Sequence, residues 1–165
     1  MKKIGILSDT HGCWDERFAQ HFAQCQEIWH AGDIGSEEVV EKLERIAPLR
    51  AVAGNIDGLP FRRMFGVWKD FSTEGVAVSM THIGGYPGKY APGVKFKLEM
   101  KHPQIFVAGH SHILKVMFDR QLQTLYINPG AAGLYGWQAE RTLIRLTLDA
   151  GVIKDLEVIE LAKQR

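Results

Sequence analysis

Three short runs near the N-terminus, separated by two stretches of helical character, constrain this chain more than any other feature. Residues 4–7, 27–30 and 49–53 read as buried strands. Asp15 caps a helix whose stripe is Phe18, Ala19, Phe22 and Ala23. Ser36 caps the next, with Glu37 and Glu38 suited to its positive end; Val39, Val40, Leu43 and Ile46 form its apolar face, and Pro48 ends it. Strands joined in this β-α-β-α-β order lie parallel, with right-handed crossovers.

The second half carries strands at residues 76–80, 105–108, 114–118, 125–127, 143–148 and 152–159, and Asp149-Ala150-Gly151 reads as the turn of a terminal hairpin. Val94, Phe96, Leu98 and Met100 alternate with charged residues at a strand period. A helix is nevertheless expected there, because Lys, Leu, Glu and Met favour it and a parallel continuation needs a crossover. Residues 84–93 form a loop rich in Gly, Pro and Tyr. Phe61-Arg62-Arg63-Met64-Phe65 reads as a solvated surface strand, and Trp14, Trp29, Trp68 and Trp137 as core or interface residues. One domain spanning residues 1–165 is expected. Twenty basic and nineteen acidic residues leave a net charge of +1, which gives no generic electrostatic grip on nucleic acid or an anionic membrane. Two cysteines, Cys13 and Cys25, read as free thiols, and no apolar run is long enough to span a bilayer. A cytoplasmic protein is expected.

Five short polar elements share a position: each stands where a predicted strand ends. They are Asp9-Thr10-His11, Gly32-Asp33, Gly54-Asn55, Thr81-His82 and Gly109-His110-Ser111-His112. The carboxyl ends of parallel strands line one edge of a sheet, where ligands bind, so residues distant in the chain converge there. Asp9 with His11, and His110 with His112, stand two apart, which in extended backbone points both side chains one way. Gly32, Gly54 and Gly109 each precede a candidate ligand and let the backbone approach closely. A Gly-Asp or Gly-Asn pair alone is usually a turn; the ordered set carries the weight. It offers two carboxylates, one amide oxygen, four imidazoles and no thiol, unlike a closed zinc site of the cysteine type. Such a set exceeds one catalytic ion with an open position and suits two ions sharing a carboxylate, about 3.5–4 Å apart. The donor mixture fits Mn²⁺, Fe or Zn²⁺.

These residues, in this order, resemble the calcineurin-like metallophosphoesterase superfamily. The short chain and Asn128-Pro129-Gly130 are similar to its small bacterial and archaeal phosphodiesterase branch. The resemblance implies an α/β fold: a four-layer α/β/β/α sandwich of two mixed sheets flanked by helices. It implies one ion held by Asp9, His11, Asp33 and His112, and a second by Asp33, Asn55, His82 and His110, with Asp33 as the bridge. Two divalent transition-metal ions per chain follow, Mn²⁺ favoured and Zn²⁺, Fe or Ni²⁺ as alternatives. On that layout a hydroxide between the ions attacks phosphorus in line. Asp33 and Asn55 are the catalytic candidates, and Asn55 and Ser111 the substrate contacts. The implied activity is hydrolysis of small or nucleotide-like phosphodiesters by a protein that assembles into homo-oligomers, as relatives often do. The alternatives are a phosphomonoesterase or nuclease of the same fold, and a non-catalytic protein-binding scaffold like a eukaryotic retromer subunit.

The pattern departs from the family in two places. Many relatives carry Gly-Asn-His-Asp, where the His is thought to protonate the leaving oxygen; this chain has Gly54-Asn55-Ile56-Asp57. Isoleucine donates no proton, so that task falls to another residue or to water. After His82, where relatives often continue Gly-His, this chain reads Ile83-Gly84-Gly85. Asp57 is expected to cap a turn or to orient a ligand imidazole, and His30 to be a hydrogen-bonded core residue. Cys13 is expected to be a small buried residue, and His21 and His102 to face solvent.

Overall fold

Strands and capped helices alternate through the first half of the computed structural model, which describes residues 1–162. The elements begin β1 (Lys2–Leu7), α1 (Glu16–Phe22), β2 (Glu27–His30), α2 (Glu37–Glu44) and β3 (Leu49–Ala51). There follow α3 (Leu59–Phe65), β4 (Trp68–Thr73), β5 (Val76–Thr81), a small hairpin of β6 (Gly85–Tyr86) and β7 (Lys89–Tyr90), and α4 (Val94–Lys101). The chain closes with β8 (Ile105–Val107), β9 (Leu114–Asp119), β10 (Thr124–Pro129), β11 (Arg141–Asp149) and β12 (Val152–Leu161).

Two five-stranded mixed sheets result. The first has the order β12-β11-β1-β2-β3, with β1, β2 and β3 parallel and the terminal hairpin antiparallel beside β1. The second has the order β4-β5-β8-β10-β9, with a parallel centre and antiparallel edges. Alternation along each strand decides what lies between the layers. Ile4 and Ile6 of β1 face the second sheet and pack with Trp29, Val78, Met80, Val107, Ile127 and Ile144. Leu7 points the other way, joining Ile28, Phe18, Phe22, Val39 and Leu43 beneath α1 and α2. A third cluster, Val94, Leu98, Phe106, Ala108 and Tyr126, seats α4 on the outer face of the second sheet. Three cores between four layers make the α/β/β/α sandwich, and each large side chain buried in them contributes about 1.5–3 kcal/mol.

The caps form as their sequence requires: Asp15 accepts the Arg17 N–H and Ser36 accepts the Val39 N–H. The α4 segment is helical, with Val94 and Leu98 buried one turn apart and Phe96 and Met100 exposed on the far side. Three expectations are corrected. Residues 61–65 belong to α3 rather than to a surface strand; Pro60 opens that helix and the Gly66 N–H closes it on Arg62. None of its side chains is fully buried, so no apolar stripe announced it. Trp137 is fully exposed, whereas Trp29 lies in the core and Trp14 and Trp68 pack at its margins. The thiol of Cys13 is half-buried rather than buried. No helix among the described residues is long and apolar enough to cross a membrane.

Candidate metal centre

Both sheets present the carboxyl ends of their parallel strands to the same place, and backbone hydrogen bonds stitch the emerging loops together. The loop after β1 runs beside the loop after β2: Asp9 N–H donates to Gly32 O (3.0 Å), His11 N–H to Asp33 O (3.0 Å) and Gly12 N–H to Ile34 O (2.8 Å). In the second sheet Gly109 N–H donates to His82 O at 3.0 Å. The sheets are joined where His110 N–H donates to Asp9 Oδ2 (3.2 Å), an oxygen that also accepts the Ser8 hydroxyl (2.6 Å). The glycines that precede candidate ligands serve this convergence. A Cβ on Gly54 would stand 2.1 Å from Asp33 Oδ1, and one on Gly109 would stand 2.2 Å from Ser8 Oγ. What approaches these glycines is the next loop of the site.

All seven predicted ligands meet here, in two overlapping groups. Ligand atoms of Asp9, His11 and His112 lie within 4.8 Å of one another, as do those of Asp33, His82 and His110. Asp33 Oδ2 belongs to both neighbourhoods, 3.4 Å from His11 Nε2 and 3.2 Å from His82 Nε2. Asp9 Oδ1 sits 3.2 Å from His112 Nε2 and 3.7 Å from His82 Nε2. Asn55 completes the set through a 3.0 Å contact between its Oδ1 and His110 Nδ1. Donor atoms sharing an ion at roughly 2.0–2.2 Å stand about 3.0–3.5 Å apart in octahedral or tetrahedral arrays, close to these spacings.

The polar groups left without partners test the same idea. Among the described residues four buried side-chain N or O atoms lack a hydrogen bond, and three of them are Asp9 Oδ1, His11 Nε2 and His82 Nε2. Buried polar atoms are ordinarily satisfied, so three orphans facing one volume fit a cation. The histidines are oriented for it. His82 Nδ1 meets the Ala31 carbonyl (2.8 Å), which only accepts, so Nδ1 carries the proton and the Nε2 lone pair faces the carboxylates. Gln138 acts likewise on His112. Its Nε2 donates to the Gly133 and Tyr135 carbonyls, turning its Oε1 to His112 Nδ1 at 3.0 Å.

Electrostatics agree. Burial pushes the Asp9 carboxyl up, but His11, His112, His82 and Ser8 outweigh it and hold the group well below the usual carboxylate range. Asp33 is also lowered: His82 and the Ile56 N–H prevail over burial and the repulsion of Asp9. Burial opposes a charge on His82, yet the two carboxylates raise it; His112 is raised by its hydrogen bond to Asp9. Two ionised carboxylates therefore hold positive charge at the site, as protons or as metal.

The paired residues do converge, but not by the extended geometry that their spacing suggests. Asp9, His11, Asp33, His110 and His112 all have left-handed backbone, with φ of 55°, 46°, 56°, 72° and 63°. The side chains of each pair converge because the loops curl, not because they are extended. Asp57 caps a turn and, among the described residues, hydrogen-bonds to no imidazole; it accepts N–H groups from Ile34, Gly35 and Gly54, tying the Asp33 loop to the Asn55 loop. His30 is fully buried, donating from Nε2 to Thr10 Oγ1 and accepting the Gly32 N–H at Nδ1, and burial lowers its pKa to about 4. His102 faces solvent and His21 is half-buried. Asn128 explains its Asn-Pro-Gly setting: its amide donates to Gly109 O and Ser111 Oγ, fixing the loop that carries both histidines. Gln138 was missed, since nothing in its local sequence marks it.

Two buried carboxylates and four converging imidazoles at the shared edge of two sheets make a site suited to binding cations. Residues 1–151 match the family model described as the calcineurin-like phosphoesterase superfamily domain, and the chain belongs to that superfamily. A probable metallophosphoesterase of Methanothermobacter thermautotrophicus is 28% identical over 138 residues, covering 78% of this chain and 76% of the relative. Among solved structures, an archaeal phosphodiesterase superposes with a TM-score of 0.74 at 21% identity, covering 96% of this chain and 99% of its own. A Vps29 of Entamoeba histolytica, solved in complex with zinc, superposes with a TM-score of 0.74 at 14% identity, covering 96% and 98%.

Proposed function

We propose that this metallophosphoesterase is a dinuclear phosphodiesterase acting on small phosphodiesters. The observation that carries the reading is Asp33 Oδ2, lying within 3.4 Å of imidazole nitrogens from both groups. Asp9, His11, Asp33 and His112 would hold one ion, and Asp33, Asn55, His82 and His110 the other. Divalent ions bound there supply Lewis acidity and neutralise charge on a phosphoryl group.

The chain's own residues shape the rest. Gln138 and the Ala31 carbonyl fix the tautomers of His112 and His82, leaving both Nε2 atoms toward the carboxylates. Asn55 is exposed, so its amide is free to donate to a phosphate oxygen while its Oδ1 contacts His110. The Ser111 hydroxyl accepts from Asn128 and from the Ile113 N–H, which leaves its own proton for a second phosphate oxygen. Ile56 lies beside these groups with its side chain half exposed and its N–H on Asp33 Oδ1. It offers no proton to a departing alkoxide. General acid help is worth about 10²–10⁴-fold, so substrates with good leaving groups are favoured.

The fold likeness to an archaeal phosphodiesterase supports a diester substrate, while the Vps29 likeness fits the scaffold alternative. Retention of all seven candidate ligands favours catalysis over a scaffold. A panel of aryl and alkyl phosphodiesters and monoesters, assayed with Mn²⁺, Zn²⁺ and Ni²⁺ beside elemental analysis, tests the reading. About two ions per chain and preference for aryl diesters are expected. Equal turnover across leaving-group pKa, or no metal-dependent hydrolysis, overturns it.

A further inference from the structure

One wall of the site is aromatic. A cavity of about 720 Å³ opens beside His110, Ser111 and His112, and Ile113, Tyr135 and Trp137 also line it. Trp137 is fully exposed and Tyr135 is 69% exposed, although aromatic side chains of this size ordinarily bury most of their surface. Neither ring belongs to any of the three cores. Stability of the fold therefore does not account for them.

Their segment is nevertheless fastened to the site. The Tyr135 ring stacks on His11, centroids 4.8 Å apart and planes 28° apart. Gln138 bonds the Gly133 and Tyr135 carbonyls with one end of its amide and His112 Nδ1 with the other. The Gly133 N–H in turn donates to Asp9 O at 3.1 Å. The Tyr135 ring is thus held beside the residues assigned to the phosphate, and the exposed Trp137 ring, two residues on, lines the same space, which is large enough for a ring system.

We infer that Tyr135 and Trp137 form a stacking platform for a flat aromatic group, an aryl ring or a nucleobase, esterified to the phosphate that the site cleaves. The inference rests on the phosphodiesterase reading above and adds the class of ester. An exposed ring face accepts any π-system without reading its hydrogen-bonding edge, so the platform selects aromatic esters as a class rather than one base. Ile113, 63% exposed, extends the apolar wall.

Two measurements test it. With bis(p-nitrophenyl) phosphate, Trp137→Ala is expected to lower kcat/KM by about five- to hundredfold, the range of one lost aromatic stack, chiefly through KM. Trp137→Phe, which keeps a flat ring, is expected to restore most of that loss. Equal values for the Ala and Phe variants, or no loss in either, overturn the platform. The second measurement needs no turnover. Adenosine monophosphate, but not ribose 5-phosphate, is expected to quench tryptophan emission in the wild type and not in Trp137→Phe. Equal responses to the two ligands, or quenching that survives the substitution, overturn it. Should no phosphodiester be hydrolysed with any metal, the phosphodiesterase reading falls, and the fluorescence titration still decides the platform.

Discussion

Asp57→Ala should unfasten the centre without touching a candidate ligand. The Asp57 side chain is 4% exposed, and its two oxygens accept three backbone N–H groups. Oδ2 takes Ile34 (3.0 Å) and Gly54 (2.8 Å), and Oδ1 takes Gly35 (3.0 Å). A hydrogen bond to a charged group contributes about 1.5–3 kcal/mol, and a stranded buried donor costs about 1–3 kcal/mol. Three such bonds give an upper sum near 9 kcal/mol, which water entering from the exposed Asn55–Ile56 turn reduces. We expect a loss of about 3–4 kcal/mol, a large share of the 5–15 kcal/mol typical of a domain. Asp57→Asn keeps one oxygen for Ile34 and Gly54 but turns an NH₂ group against the Gly35 N–H, so about half that loss is expected. Urea unfolding gives the free energies, and native-state hydrogen exchange reports the three amides individually. A loss below about 1 kcal/mol in Asp57→Ala, with protection of all three amides retained, would refute the clamp.

Three further outcomes follow from the same structure. Glu27, at the end of β2 remote from the site, meets Arg50 (2.6 Å), Thr73 (2.8 Å), Lys2 (3.0 Å) and Trp29 (3.1 Å); burial raises its pKa, but these partners lower it from 4.5 to about 2. Its folded-state pKa is depressed, so about 2–3 kcal/mol of stability is present above pH 4.5 and lost as pH falls toward 2; urea midpoints between pH 2 and 6 should show this in the wild type and not in Glu27→Gln. Gly54→Ala drives a Cβ to within 2.1 Å of Asp33 Oδ1 and 2.3 Å of Asp33 N; a cost of about 1–3 kcal/mol and reduced metal content by elemental analysis are expected, and a wild-type melting curve would contradict the close approach. Mn²⁺ at a hundredfold excess over Kd should stabilise the protein by about 2.7 kcal/mol for each ion bound, with chelator reversing the thermal shift and Asp33→Asn abolishing most of it.

What could be read from the sequence is what depends on neighbours in the chain. Strand ends were legible because apolar runs stop abruptly at Asp9, Asp33 and His110, and caps were legible because Asp15 and Ser36 bond residues two and three positions on. α3 was not, since its apolar residues bury only part of their surface and form no stripe. Gln138, Asp57 and Asn128 act on loops 3 to 26 residues away, through bonds that exist only once the sheets have packed. Of the two places expected for Trp137, core or interface, the structure withholds the core: the ring is fully exposed and enters none of the apolar clusters.

The left-handed residues show what the fold expends on this site. Each non-glycine residue in that region costs on the order of 1 kcal/mol or more, and five of the seven candidate ligands are there. Asp and His tolerate it better than β-branched residues, yet a sum near 5 kcal/mol rivals the stability of a small domain. The backbone bonds from Asp9, His11 and Gly12 to the Asp33 loop, and from Gly133 to Asp9, hold that conformation against the packed sheets. Backbone bonds between loops thus hold the imidazoles and carboxylates facing one another. A cation held among them would meet the electrostatic cost of the two close carboxylates Asp9 and Asp33, which oppose each other's charge.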